Sequence, residues 1–297
     1  MAQFAHTPVL AEETLAWLQP RSGGIYCDAT VGGGGHAELV LERSAPDGRL
    51  IGLDRDEEAL GAARARLARF GDRVQLVHAA FADTRSVLAA LRARPCDGLT
   101  CDLGVSSWQL DSAERGFSFG KEGPLDMRMD RSSGFTAAEY LDRIREEELA
   151  RVLREYGEER FAGRVARCIK EAAHAHQLRT TADLAAVVAA AVPTRERHKD
   201  PATRTFQALR LLVNDELGQL DRLLADLPDL LKPGARAVFI AFHSLEDRAV
   251  KLRLRALSPK HDPTVRRLTP KPVRPSEDET RRNPRSRSAR LRAAERC

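Results

Sequence analysis

Four consecutive glycines, Gly32 to Gly35, separate a short apolar run ending in an acid (Ile25-Tyr-Cys-Asp28) from a helical pattern that begins at Ala37. With no side chains across the turn, the backbone can bend sharply and let a ligand touch it directly. About 20 residues farther on, Arg49-Leu-Ile-Gly-Leu-Asp54 reads as a second strand that also ends in a carboxylate. An acid there is placed to accept hydrogen bonds from the two hydroxyls of a ribose. The combination points to a nucleoside cofactor on a doubly wound α/β sheet.

The glycine turn alone does not say which cofactor. Gly32-x-Gly34-x-x-Ala37 also satisfies the dinucleotide fingerprint, which keeps a dehydrogenase in play. Two details favour S-adenosylmethionine. Asp28 stands just before the loop, where it can receive the ammonium of a methionine moiety but would repel a pyrophosphate. The loop also carries no arginine or lysine to meet phosphate charge.

The chain has 297 residues, 42% of them hydrophobic, enough for a substantial core. No apolar run approaches the ~18 residues of a membrane span, and Met-Ala-Gln-Phe-Ala-His-Thr-Pro lacks a signal-peptide pattern. Five cysteines without a C-x-x-C pair imply reduced thiols rather than a disulfide framework or zinc site. The expectation is a soluble, cytoplasmic protein without a metal. Charge is unevenly placed. From Thr264 to Cys297 there are 11 Lys+Arg against 4 Asp+Glu, a local +7, which leaves 5 − 7 = −2 for the rest. A cationic end on a nearly neutral body suggests a polyanionic partner, nucleic acid above all. A solvated tail that only aids solubility is the plainer alternative. Aromatic content of 5% gives no evident platform for stacking single strands.

Along the chain, Thr7-Pro8 with Val9, Leu10, Leu15, Trp17 and Leu18 reads as a capped amphipathic helix. Strands follow at 25–28, 49–54, 74–78 and 97–102, alternating with helices at 37–43, 57–70 and 84–93, the rhythm of a parallel sheet. After Ser107 it breaks. A Gly/Ser/Asp-rich loop (111–134) leads into helical signals only, to about Asp226: a capping box at Thr136-Ala-Ala-Glu139, then helices over 159–173, 181–192 and 201–227. Lys232-Pro-Gly234 reads as a turn and Ala235 to Phe242 as a fifth strand. This predicts an all-helical insertion, 111–216, in a discontinuous cofactor-binding domain, 1–110 and 217–297, with the insertion shaping the substrate site.

At this point the motifs resemble one family. His6-Thr-Pro-Val-Leu, Asp28-Ala-Thr-Val-Gly-Gly-Gly-Gly-His36, Asp102-Leu-Gly-Val-Ser-Ser107 and Phe242-His-Ser-Leu-Glu-Asp-Arg248 are similar to those of bacterial small-subunit ribosomal RNA methyltransferases of the RsmH (MraW) type. Glu159-Arg-Phe-Ala, Thr203-Arg-Thr-Phe-Gln-Ala-Leu-Arg210 and Asn283-Pro-Arg-Ser-Arg-Ser-Ala-Arg-Leu-Arg292 match the same pattern, so the likeness spans the chain in order. The arginine-rich end is somewhat longer than the pattern. The resemblance implies a class I S-adenosylmethionine-dependent methyltransferase sheet, Rossmann-like, with an inserted helical domain. It further implies methyl transfer from S-adenosylmethionine to the exocyclic N4 amine of a cytidine in the decoding centre of 16S rRNA.

By that resemblance Gly34, Gly35 and His36 contact the cofactor, Asp54 holds its ribose, and Phe81, Asp102 and Gln109 complete the pocket. Each assignment has a physical rationale. Phe81 can pack on adenine or serve as ordinary core. Gln109 offers a donor and an acceptor to a zwitterion. Asp102 ends a strand on the edge where α/β sheets bind ligands. A cytosine amine is a poor nucleophile, and an oxygen accepting its N–H bonds pushes the lone pair toward the methyl group. Asp102, or the carbonyls of Leu103 to Val105, is the expected acceptor, with His243 or Ser244 assisting. Asp102 serving the cofactor alone, and His243 as a structural residue, are the competing expectations. His243 and Asp247 are too few to hold a metal. His174-Ala-His176 reads as solvated, and Arg195-Glu-Arg-His-Lys199 with Arg204 as a basic loop for phosphates or for surface ion pairs.

Binding to structured RNA should weaken steeply with salt. A DNA amino-methyltransferase would share the chemistry, but such enzymes usually carry Pro-Pro-Tyr/Phe where this chain has Leu-Gly-Val. A non-catalytic RNA or ribosome assembly factor is the alternative from another class. Whether the chain is a monomer or a homodimer is left open by its sequence.

Overall fold

The computed structural model describes residues 8–193 and 200–297. The His6-Thr7 motif and the basic loop Arg195–Lys199 lie outside the described residues. Two compact units emerge: residues up to Gly104 together with Leu217–Cys297, and Val105–Glu216 between them in sequence.

The first unit opens with α1 (Ala11–Leu18), β1 (Ile25–Asp28), α2 (Gly35–Arg43), β2 (Arg49–Asp54), α3 (Glu57–Leu67), β3 (Val74–His78), α4 (Thr84–Ala90) and β4 (Cys96–Asp102). The second unit carries α5 (Ser107–Asp111), α6 (Ala137–Arg143), α7 (Glu146–Glu155), α8 (Ala162–His174), α9 (Thr181–Ala191) and α10 (Ala202–Asn214). From α11 (Glu216–Leu230) the chain returns to the first unit with β5 (Leu231–Ala241), α12 (Ser244–Ala256), β6 (Val265–Arg267), α13 (Glu277–Arg282) and β7 (Arg290–Arg296).

The strands form one sheet in the order β3-β2-β1-β4-β5-β7-β6, the first five parallel and β7 antiparallel to both neighbours. This is the Rossmann-like class I sheet that the sequence leads one to expect. Its strands are apolar on both sides because helices cover both faces. Tyr26, Leu50, Val238 and Ile240 pack with α1, α2 and α3. Cys27, Ile51, Leu53, Leu99 and Phe239 pack on the other face with α4, α11 and α12. The second unit has its own core, in which Leu149, Val165, Ile169, Leu184 and Leu209 meet across the four helices α7 to α10.

Several boundaries differ from those read in the sequence. The first helix begins at Ala11 rather than at Pro8, because Leu10 takes a left-handed conformation and its N–H is held by Glu279 Oε1 at 2.8 Å. Helix 57–70 gives way after Leu67 to a 3-10 stretch in which Gly71 has φ 53°. The segment opened by the Thr136–Glu139 capping box is two helices, separated where Ile144 is extended. The segment 201–227 is also two helices, broken at Asp215, which is left-handed (φ 48°). There Asn214 Nδ2 donates to Met127 O at 2.8 Å and its Oδ1 accepts from Met129 N–H at 2.8 Å, so the side chain fastens the helix end to a loop. Leu231 already pairs with Cys96, and the expected turn Lys232-Pro-Gly234 is a register shift inside β5.

The largest departure concerns the basic end. It is no solvated tail: β7 inserts between β5 and β6, with Leu291, Ala293 and Ala294 buried. Arg292 is 6% exposed and chelates Asp247 of α12, Nε to Oδ1 at 2.6 Å and Nη2 to Oδ2 at 3.1 Å. Glu295 accepts from both Arg236 and Arg266. Part of the local positive charge is thus spent inside the fold.

Candidate functional site

Parallel pairing brings the ends of β1, β2 and β4 to one edge of the sheet, where each strand finishes on an acid: Asp28, Asp54 and Asp102. Backbone bonds then steer the chain off β1 across that edge. Ala29 N–H donates to Thr100 O at 2.9 Å and Val31 N–H to Leu53 O at 2.8 Å. Gly34, left-handed at φ 83°, starts α2. A Cβ there would lie 3.2 Å from Leu67, so both backbone conformation and packing of α2 on α3 require glycine. No side chain caps this helix start, and the N–H groups of a first helical turn have no partner within the helix.

The acids are held in contrasting ways. Asp54 Oδ2 accepts from Gly32 N–H at 2.8 Å and Oδ1 from Asp56 N–H at 2.9 Å, so the carboxylate also shapes the glycine turn. Desolvation nevertheless lifts its pKa to about 6. Asp28 is 2% exposed and accepts from Thr30 N–H at 3.2 Å. Burial, and then the charge of Asp54, push it up to about 7 against the Thr30 hydrogen bond. Asp102 is raised well above the usual carboxylate range, chiefly by desolvation and then by Asp28 and Glu246. Its Oδ2 lies 3.7 Å from His36 Nε2, while Oδ1 is buried with no hydrogen-bond partner among the described residues.

Such a set of mutually repelling carboxylates fits a cation. S-adenosylmethionine carries a sulfonium and an ammonium, which suit Asp28 and Asp102, and a carboxylate, which suits the uncapped start of α2. The residues present therefore fit this cofactor. Among the described residues, no group of three or more His, Cys, Asp or Glu is arranged to hold a metal ion, and no helix is long and apolar enough to cross a membrane.

The structure brings Gly34, Gly35, His36, Asp54 and Asp102 to one edge of the first unit. Phe81 starts the short 3-10 turn after β3 and packs partly against the sheet core. Gln109 belongs to the second unit, where it is 5% exposed; its Oε1 accepts from Ser106 N–H at 2.9 Å in the capping box of α5. His243 caps α12. Its Nδ1 accepts from Glu246 N–H at 3.5 Å and its Nε2 lies 3.0 Å from Glu246 Oε1, so both ring nitrogens face its own helix. Ser244 is the first residue of α12. Sequence reasoning missed Glu246, whose signal is the glutamate at the third position of the helix, normally a surface cap.

A family model described as the MraW methylase family matches residues 3–297. A ribosomal RNA small subunit methyltransferase H from Syntrophus aciditrophicus is 52% identical over 306 residues, spanning 98% of this chain and 97% of that protein. One from Pelobacter propionicus is 52% identical over 311 residues, spanning 99% of each. One from Sorangium cellulosum is 55% identical over 293 residues, spanning 98% of this chain and 90% of that protein.

Proposed function

The chain belongs to the MraW methylase family, and from this premise we propose that it methylates the exocyclic N4 amine of a cytidine in the decoding centre of 16S rRNA within the small ribosomal subunit. The methyl donor is S-adenosylmethionine, which when bound supplies an electrophilic methyl group on a good leaving group. The single observation that carries the assignment of roles is Asp102, whose buried Oδ1 lacks a partner among the described residues at the ligand-binding edge of the sheet.

The work left to the protein is alignment, exclusion of water and acceptance of the amine hydrogens. Asp102 Oδ1 accepts one amine N–H, draws the nitrogen lone pair out of conjugation with the ring and takes that proton as the new N–C bond forms. The carbonyls of Leu103 and Gly104 are further acceptors, on a segment held to β5 by Leu103 N–H donating to Ile240 O at 2.9 Å. Asp28 takes the cofactor ammonium, Asp54 its ribose hydroxyls, and the start of α2 its carboxylate. Gly34, Gly35 and His36 line that start, and Phe81 offers a ring face to the adenine. His243 holds the β5–α12 turn and does not itself take the proton. The second unit supplies RNA contacts, for which Arg154, Arg160 and Arg164 are exposed. The target base must be splayed from structured RNA, at a cost of a few kcal/mol.

The test is Asp102→Asn, which keeps the shape and removes the charge. Turnover on methyl-deficient small subunits falls about 100-fold, while S-adenosylhomocysteine affinity by calorimetry stays within a few-fold. Full turnover with normal cofactor binding would remove Asp102 from the chemistry.

A further inference from the structure

We propose that Glu246 is a positioning residue for methyl transfer, fastening the turn between β5 and α12 beside the Asp102–Gly104 segment through one buried carboxylate. This rests on the function proposed above. Glu246 is 2% exposed. Its Oε2 accepts from Phe242 N–H at 2.9 Å and from His243 N–H at 3.4 Å, and its Oε1 lies 3.0 Å from His243 Nε2. A Cβ placed on Gly104 would sit 3.7 Å from the Phe242 ring and 4.0 Å from Glu246 Oε1. The turn therefore lies close beside the segment that follows Asp102, with this carboxylate within reach of the Gly104 position.

A helix cap does not require such a location. Glutamate at the third helical position caps equally well in water, as Glu139 does for α6 on an exposed surface. Burying the charge costs free energy, and Asp102 on β4 adds repulsion. Opposite them are His243 on its own helix and His36 of α2, which faces Asp102. The next residue, Asp247, is anchored from β7 by Arg292 and by Arg290 at 3.6 Å. The first turn of α12 is thus gripped from two sides, and the end facing Gly104 is the one that Glu246 sets.

Glutamine is not a neutral substitute here. If its oxygen keeps the Phe242 and His243 N–H groups, its NH2 faces His243 Nε2, which must then accept. Nδ1 already accepts from the residue 246 N–H, and a neutral imidazole has only one acceptor nitrogen. Glu246→Gln must therefore displace either the ring or the turn. Replacing the ring as well, by His243→Asn, removes the conflict and keeps a good N-cap.

The experiment measures amide hydrogen exchange at Phe242 and His243, S-adenosylhomocysteine affinity, and kcat and KM on whichever RNA the wild-type chain methylates. For Glu246→Gln the expected results are exchange at least tenfold faster at those two amides, affinity within threefold of wild type, and kcat lower by about 100-fold with KM unchanged. Adding His243→Asn should return kcat to the level of His243→Asn alone. If Glu246→Gln does not fold, the double variant carries the same measurements against His243→Asn. Unchanged exchange, faster exchange with wild-type kcat, or additive losses in the double variant would each overturn the proposal. A wild-type chain that methylates another nucleoside would refute the cytidine reading and leave this comparison intact, since exchange needs no substrate.

Discussion

Asp28 gives the sharpest quantitative handle on the site. Its carboxyl is raised from 3.8 to about 7 by burial and by Asp54. An acid whose pKa is higher folded than unfolded holds its proton more tightly in the folded state, so folding stability falls as pH rises from about 4 to about 7 and is level above that. At 1.36 kcal/mol per unit, the full penalty is about 4 kcal/mol, of which about 3 kcal/mol accrues between pH 5 and pH 8. Asp28→Asn keeps the acceptor for Thr30 N–H and cannot ionise. In urea melts without ligand, the wild-type chain should lose about 3 kcal/mol more than the variant between those two pH values, leaving the variant more stable at pH 8. The gain is made at the expense of the site: the variant loses the anion opposite the cofactor ammonium, and S-adenosylmethionine affinity should fall about tenfold or more. Parallel pH curves for the two chains would refute the claim that the acids at this edge are strained by burial and by one another.

Arg292→Ala should destabilise the fold by about 3 kcal/mol, read in urea, because Asp247 is left with Arg290 alone; the pair Arg292→Met with Asp247→Leu should recover most of the loss, and an unaffected single variant would contradict a structural role for β7. KM for the small subunit should rise steeply with potassium chloride as phosphate contacts are screened, and a flat profile between low and high salt would contradict RNA binding through basic residues.

Much of the sheet was legible in the sequence. Strands at 49–54 and 74–78 fall where the apolar runs place them, and the acids ending β1, β2 and β4 could be singled out because each follows an apolar run directly. The break after Ser107 announces the helical segment through the loss of strand signals alone. What was not legible depends on partners distant in sequence. Arg290 to Arg296 holds three apolar residues, Leu291, Ala293 and Ala294, but its arginines hide the strand until Asp247, some 45 residues away, is seen to neutralise Arg292. The break at Asp215 follows from Asn214 bonding a loop near Met127, which no local propensity encodes. Glu246 looks like an ordinary cap in sequence, and only its burial beside Asp102 and Gly104 sets it apart.

The most direct measurement is transfer of labelled methyl from S-adenosylmethionine to small ribosomal subunits lacking the modification, with the RNA digested and the labelled nucleoside identified. Cytidine methylated on its exocyclic nitrogen is the predicted product. Label on another nucleoside or on DNA, or no transfer despite tight cofactor binding, would contradict it.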